Sequence, residues 1–322
     1  MSDRIETWIV TQEAARLRLD QFLVRRIPGE SRSQIQIWIR KGYVRVNGAG
    51  AKTGYLTRAD DRIALNVPES APDQPFPENI PLDVLYEDAD LAVINKPAGL
   101  VCHAGAGVRS GTLVNALLHR MGPLETGDPS RPGIVHRLDK MTSGVMLVAK
   151  NSRAHRILAE QFKNREVKKE YIALVHGVPS RPSGTIDLPL GRDPVNRKKI
   201  SVRARRRRTA ITHYRVQEDY GFASLLSITI ETGRTHQIRV HLAEKGHPVV
   251  GDSLYGANRL RSLPAELQQK AGDLARPFLH SHLLEFRQPL SGERLCFQSP
   301  LPDELQKFLS AVQNVQFPSR PS

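Results

Sequence analysis

The sequence is short of acid. Its 322 residues carry 47 lysines and arginines against 33 aspartates and glutamates, a formal net charge of +14. The hydrophobic share of 39% and charged share of 25% are ordinary for a globular chain, so the imbalance is the unusual feature, and it points to a polyanionic partner. An anionic membrane would also attract such a chain. The sequence offers no long basic amphipathic helix, no lipidation motif and no run of 18 apolar residues, so membrane attachment is not expected. The first residues lack a basic segment followed by an apolar one, so no secretory signal is read and a cytoplasmic location is expected. Cysteine is scarce. Cys102 and Cys296 lie far apart, in no metal-ligand spacing, and are read as small hydrophobes in a reducing compartment, without a disulfide. Cys102 precedes His103, but neighbours on a strand face opposite sides and make a poor nucleophile–base pair. Nucleotide-cofactor signatures are missing too: the glycine-bearing loop at 103–107 has neither a P-loop nor a complete dinucleotide fingerprint. His236 and His241 are five apart, not the i, i+4 spacing of a helical metal pair. No cofactor and no metal are expected.

What is present centres on residues 133–150. Ile134 and Val135 read as a short strand, the apolar run 145–149 as a second, buried one. The turn between them holds His136, Arg137, Asp139, Lys140, Thr142 and Ser143. One carboxylate among several cations and hydroxyls stays ionised. Held rigidly on a loop, Asp139 is a candidate nucleophile; a structural salt bridge in a turn is the alternative.

The length suggests two domains. Residues 17–67 form the first. Leu19, Phe22, Leu23 and Ile27 recur at helical spacing, and Ser31 or Ser33 caps a second helix carrying Ile35, Trp38 and Ile39. A strand at 43–46 meets a hairpin turn at Asn47-Gly48, and a weaker strand at 62–67 closes the unit. Residues 68–81 contain five prolines and read as an extended linker. The second domain, 82–312, has strands at 84–86 and 91–94, a helix at 112–121, a Ser152-capped helix, and a strand at 170–175. Residues 187–199 read as a loop, followed by an arginine-rich segment with Arg205, Arg206 and Arg207 that self-repulsion should hold open and solvated; on a polyanion that repulsion is relieved. An alternating strand at 222–231 feeds Arg234 in a turn and a helix capped by Thr235. Two further strands, 278–286 and 294–297, and a final helix from Pro302 or Asp303 complete the chain.

The first unit, with Ser31-Arg32-Ser33-Gln34-Ile35 and Lys41-Gly42-Tyr43-Val44-Arg45-Val46-Asn47-Gly48, is similar to the S4 RNA-binding domain. That makes Arg32 and Lys41 candidate RNA contacts, chiefly to phosphates. The run His136-Arg137-Leu138-Asp139-Lys140-Met141-Thr142-Ser143-Gly144 resembles the catalytic motif of the RluA-type pseudouridine synthases, and the D-like enzymes of the large ribosomal subunit most of all. Lys168-Lys169-Glu170-Tyr171-Ile172-Ala173 and Thr232-Gly233-Arg234-Thr235-His236-Gln237 are similar to that family's second and third motifs. The likeness covers about residues 17–310.

The resemblance implies an α+β fold with a mixed, largely antiparallel sheet, and isomerisation of uridine to pseudouridine in RNA without a cofactor. It implies Asp139 as nucleophile, at C1′ of the ribose or C6 of the base, with loss of the 2′ proton as a third route. It implies Tyr171 beside the target base, Arg234 paired with Asp139, and Arg137 filling the space left by a flipped-out nucleotide. From the residues alone Tyr171 reads as a core tyrosine. Lys96 and His103 are open between RNA contact and a structural part. The expected partner is large-subunit ribosomal RNA or a precursor particle, met by a monomer. Transfer RNA as substrate, a non-catalytic ribosome-assembly protein, and a hydrolase using Asp139 and His136 are the rivals.

Overall fold

The computed structural model describes residues 5–27, 30–67, 74–105, 108–124, 126, 128–196 and 198–315. The chain divides into two compact units, 1–73 and 74–322.

The smaller unit has strands β1 (Ile5–Ile9), β2 (Val44–Val46), β3 (Ala49–Gly50) and β4 (Arg62–Asn66) and helices α1 (Leu19–Arg26) and α2 (Arg32–Arg40). Ser31 caps α2 by accepting the Gln34 N–H, and the periodic residues Leu19, Phe22, Leu23, Ile35, Trp38 and Ile39 are its core with Val44, Val46, Ile63 and Leu65. Asn47 and Gly48 both take positive φ, as a tight hairpin between β2 and β3 requires. The sheet runs β1-β4-β2-β3. Strand β1 was not expected: Ile5 and Ile9 are exposed, so no buried alternation marks it.

The larger unit is built on a nine-stranded sheet. Its strands are β5 (Asp83–Glu87), β6 (Leu91–Lys96), β7 (Ser143–Ala149), β8 (Lys168–His176), β9 (Ser183–Asp187), β12 (Ile211–Asp219), β13 (Ala223–Ile230), β14 (Leu279–Arg287) and β15 (Arg294–Gln298). A separate two-stranded ribbon pairs β10 (Gly191–Arg192) with β11 (Ile200–Ser201). The order is β5-β6-β7-β14-β8-β13-β12-β9, with β15 also on β14. Only β7 and β14 run parallel, so the sheet is mixed and largely antiparallel, as expected.

Strand β7 is buried on both faces. Met146 and Val148 enter the main core with α3 (Leu113–Met121), α5 (Gln237–Glu244), α6 (Ala265–Asp273) and α7 (Asp303–Gln313). Val145, Leu147 and Ala149 enter a second cluster with α4 (Ser152–Lys163). Fully burying each such aliphatic side chain contributes about 1.5–3 kcal/mol, which makes β7 the firm base of the loop before it.

Several expectations change. Ile134 and Val135 form no strand; Ile134 makes one isolated bridge to Val148, because the chain turns away into the polar loop at once. Of the proposed linker, 68–73 lies outside the described residues, and part of the rest is docked: Asn115 donates to the Phe76 carbonyl at 2.7 Å, and the Glu78 N–H donates to the Asn115 carbonyl at 3.0 Å. The arginine-rich segment is not held open. Leu190 and Arg208 exchange backbone hydrogen bonds at 2.9 and 2.8 Å, and Ala204, Ala210 and Leu190 are buried. A small apolar anchor therefore outweighs the repulsion of side chains that point to solvent. Finally, α5 begins at Gln237, and its first flanking residue is His236 in the left-handed region, not a capping Thr235.

Candidate active site

The loop at 134–142 is gripped from below. The Lys140 carbonyl accepts the Gly99 N–H at 2.8 Å and the Lys96 ammonium at 3.3 Å. Lys96 is fully buried and also donates to the Pro97 and Leu100 carbonyls; burial pushes its pKa down to about 8. It is therefore a structural cation under the loop and not an exposed RNA contact. The buried Cys102 thiol donates to the Leu138 carbonyl, the small-hydrophobe reading of that residue. Cys296 is free and exposed.

The Thr-Ser-Gly that ends the motif closes the site. Gly144 has φ +114°, and an added Cβ would stand 2.1 Å from the Ser281 carbonyl oxygen. Only glycine lets β7 lie against β14 there. Ser281 in turn stands opposite Tyr171 on β8, so the register Gly144–Ser281–Tyr171 carries Tyr171 to the mouth of the Asp139 loop. Tyr171 is buried, with its hydroxyl at Ser281. Burial, reinforced by the charge of Asp139, raises its pKa well above the ordinary phenol value. It stays a neutral phenol at any physiological pH.

Asp139 is held by an arginine, but not by Arg234. Arg239 on α5 donates to Asp139 Oδ2 at 3.4 Å and grips Asp252 with two nitrogens at 2.7 and 2.9 Å. Arg234 is exposed and donates to the Thr209 carbonyl at 3.2 Å. The local fold explains the exchange. The Gln237 side chain folds back to accept the Arg234 N–H and to donate to the Ile211 carbonyl. This leaves Arg234 on the solvent side of the turn and Arg239 on the buried side of α5. Burial opposes the Arg239 charge, yet the bonds to Asp252 outweigh it and raise its pKa further. Arg239 lies between Ile238 and Val240 in a helix whose residues 237–242 are all buried, and a buried guanidinium demands a carboxylate.

His136 is no base for a hydrolase. Its Nε2 accepts the Leu147 N–H at 2.9 Å, and its ring stacks on Phe162 at 4.6 Å. Burial and the nearby Lys169 charge push its pKa down to about 3. His241 is likewise spent, bonded to Thr212 and to the Leu188 carbonyl. His236 bonds Tyr255 at 2.9 Å. Among the described residues no cluster of His, Cys, Asp or Glu could hold a metal.

These groups line a cavity of about 570 Å³ that holds Asp139, Tyr171, Arg137, Arg234, Arg239 and His103, a size typical of a ligand site. Its lining has seven basic side chains against two acidic ones, Asp139 and Glu231. Glu231 is tied to Arg165 and His213, so Asp139, with 17% of its side chain exposed, is the carboxylate left available. Arg137 is exposed on the cavity lining and has no hydrogen-bond or ion-pair partner among the described residues.

The other proposed RNA-binding side chains differ in what they are free to do. Arg205, Arg206 and Arg207 are all exposed; Arg207 also donates to the Val202 carbonyl. Lys41 is exposed. Arg32 spends its Nε on Asp20 at 3.0 Å, beside Arg18 and Gln36 on the same buried carboxylate. Burial alone would raise the Asp20 pKa, but these partners hold it down to about 2.

The cavity is thus cationic, with one accessible carboxylate, a neutral tyrosine and a buried arginine. The RNA pseudouridylate synthase family profile matches residues 90–244, and the S4 domain profile matches 17–63. The chain belongs to the RNA pseudouridine synthases, enzymes that isomerise uridine within RNA. It is 45% identical over 297 residues to an uncharacterized RNA pseudouridine synthase of Aquifex aeolicus, covering 91% of this chain and 93% of that one. It is 42% identical over 310 residues to the ribosomal large subunit pseudouridine synthase D of Xanthomonas campestris, covering 94% and 91%. Among solved structures, human RNA pseudouridylate synthase domain containing 4 matches with a TM-score of 0.56 and 28% identity, over 72% of this chain and 93% of that one.

Proposed function

We propose that this chain isomerises uridines of large-subunit ribosomal RNA, with Asp139 as the nucleophile acting on a flipped-out nucleotide. The observation that carries the reading is Asp139 itself, partly exposed in a cationic cavity and held by the buried Arg239. The substrate class follows the relatives named ribosomal large subunit pseudouridine synthase D.

The target atoms are hidden in a stacked base, so the nucleotide must leave the stack, at a cost of a few kcal/mol. Arg137 fills the vacated space. Asp139 attacks C1′ or C6, the C1′–N1 bond breaks, the uracil turns, C5 bonds to C1′, and the bond to Asp139 breaks, either displaced from C1′ by C5 or released from C6, so the carboxylate is regenerated. The C5 proton is lost and N1 gains one, so nothing is added or removed overall. Arg239 holds the carboxylate in place. Tyr171 packs on the base as a neutral phenol. Arg205, Arg206, Arg207 and Lys41 add phosphate contacts.

The test is pseudouridine mapping of ribosomal and transfer RNA in cells with wild-type protein, with none, and with Asp139→Asn. Large-subunit sites lost in both altered strains support the proposal. Sites lost only from transfer RNA overturn the substrate assignment, and sites retained with Asp139→Asn overturn the nucleophile.

A further inference from the structure

Strand β8 alternates, and side chains two apart share a face. Tyr171 enters the cavity, and so does Lys169, two residues before it. Glu170 points the other way, to Ser227. Lys169 is 7% exposed. Its ammonium lies 5.5 Å from the centre of the Phe162 ring, and Phe162 stacks on His136. No described residue gives this ammonium a hydrogen bond or an ion pair, in contrast to Lys96 and its three carbonyls. A nearly buried cation without an acceptor is costly, and the ring face recovers only part of that. The cation opens onto a cavity already crowded with positive charge, and neither of the two carboxylates lining it, Asp139 and Glu231, pairs with it. What is missing is an anion, and the bound strand supplies one.

We infer that Lys169 is a phosphate-binding residue of the active site, its ammonium receiving a backbone phosphate of the RNA at or next to the flipped nucleotide. The inference rests on RNA occupying this cavity. Burial alone holds the Lys169 pKa down to about 8, and a phosphate beside it restores the ammonium. The residue thereby fixes the strand across the cavity from Asp139, and favours RNA over a free nucleoside, which has no phosphate to offer.

The test is equilibrium binding of a uridine-containing oligoribonucleotide over a salt series, with wild type, Lys169→Met and Lys169→Arg, which needs no turnover. Lys169→Met, nearly isosteric, should weaken binding about tenfold and lower the slope of log affinity against log salt by about 0.7; Lys169→Arg should retain most of both. A methylphosphonate at one phosphate flanking the uridine should reproduce the loss in wild type and add nothing in Lys169→Met. Unchanged affinity and slope in Lys169→Met would overturn the inference, as would a methylphosphonate penalty undiminished in that variant at every position. If Lys169→Met does not fold, a wild type indifferent to every flanking methylphosphonate overturns it equally. Wild-type protein that binds the RNA by these criteria but isomerises no uridine would sink the catalytic reading and leave Lys169 as a phosphate contact.

Discussion

Two aspartates, one in each unit, pair with arginine and differ in how fully they are satisfied. Asp20 is fully buried and takes bonds from Arg18, Arg32 and Gln36. Asp139 keeps 17% of its side chain exposed and has one long contact, to Arg239. An arginine next to a carboxylate therefore does not mark a reactive site. The distinction lies in spare acceptor capacity opening onto a cavity: a saturated carboxylate locks a fold, and a partly satisfied one can meet a substrate.

The sharpest way to break this contrast is to remove each charge. Asp139→Asn should lower isomerisation by on the order of 10⁴-fold or more with little change in stability, read by single-turnover kinetics and thermal melting. Asp20→Asn should leave the turnover number unchanged and destabilise the smaller unit by about 2 kcal/mol, read by denaturant titration. A reversal of these two outcomes would end the comparison.

Next are the two arginines. Arg239→Met should cost about 10²–10³ in turnover and also destabilise, since Asp252 is left buried without its partner. Arg234→Ala should change turnover by less than about tenfold. Steady-state kinetics of the pair reads which guanidinium serves Asp139.

Histidines extend the contrast to neutral groups. Burial holds His176 and His280 down to about pKa 4, against 6.5 when unfolded. Above 6.5 neither state is protonated. As pH falls from 6.5 towards 4 the unfolded chain gains protons that the folded one refuses, so stability drops through that window. Each site contributes up to about 3 kcal/mol of the loss. Denaturant titrations at about pH 7 and about pH 4.5 read it, and His280→Gln should flatten the dependence.

The smallest effect is at the surface. Replacing Arg205, Arg206 and Arg207 together by alanine should leave turnover at saturating RNA unchanged and lower the salt slope of binding by about 2.

The sequence made some of this readable and hid the rest for physical reasons. The α2 stripe of Ile35, Trp38 and Ile39, with Ser31 as cap, announced itself, as did the alternation of β13. The motif resemblance points to Asp139 and Tyr171, and the structure brings both to one cavity. Strand β12 is hard to read because Thr212, Tyr214 and Val216 on its core face are interrupted by Arg215, Gln217, Glu218 and Asp219, and β1 because its isoleucines are exposed. Motif spacing alone points to Arg234 over Arg239, because it does not reveal which side of a helix start is buried. The charges of the arginine-rich segment suggest an open loop, while the buried Ala204 and Ala210 decide its path. Lys169 and Lys96 look alike in sequence; only their acceptors tell them apart.

The most direct test of the central claim, that Asp139 held by Arg239 rearranges uridine, is release of tritium from C5 of uracil in large-subunit ribosomal RNA incubated with the purified full chain. Because C5 must lose its hydrogen when it bonds C1′, the account predicts release from wild type, matched by pseudouridine in the product. It predicts none from Asp139→Asn, which should still bind the RNA. Release by Asp139→Asn at the wild-type rate, or none by wild type on RNA that it binds, would contradict it.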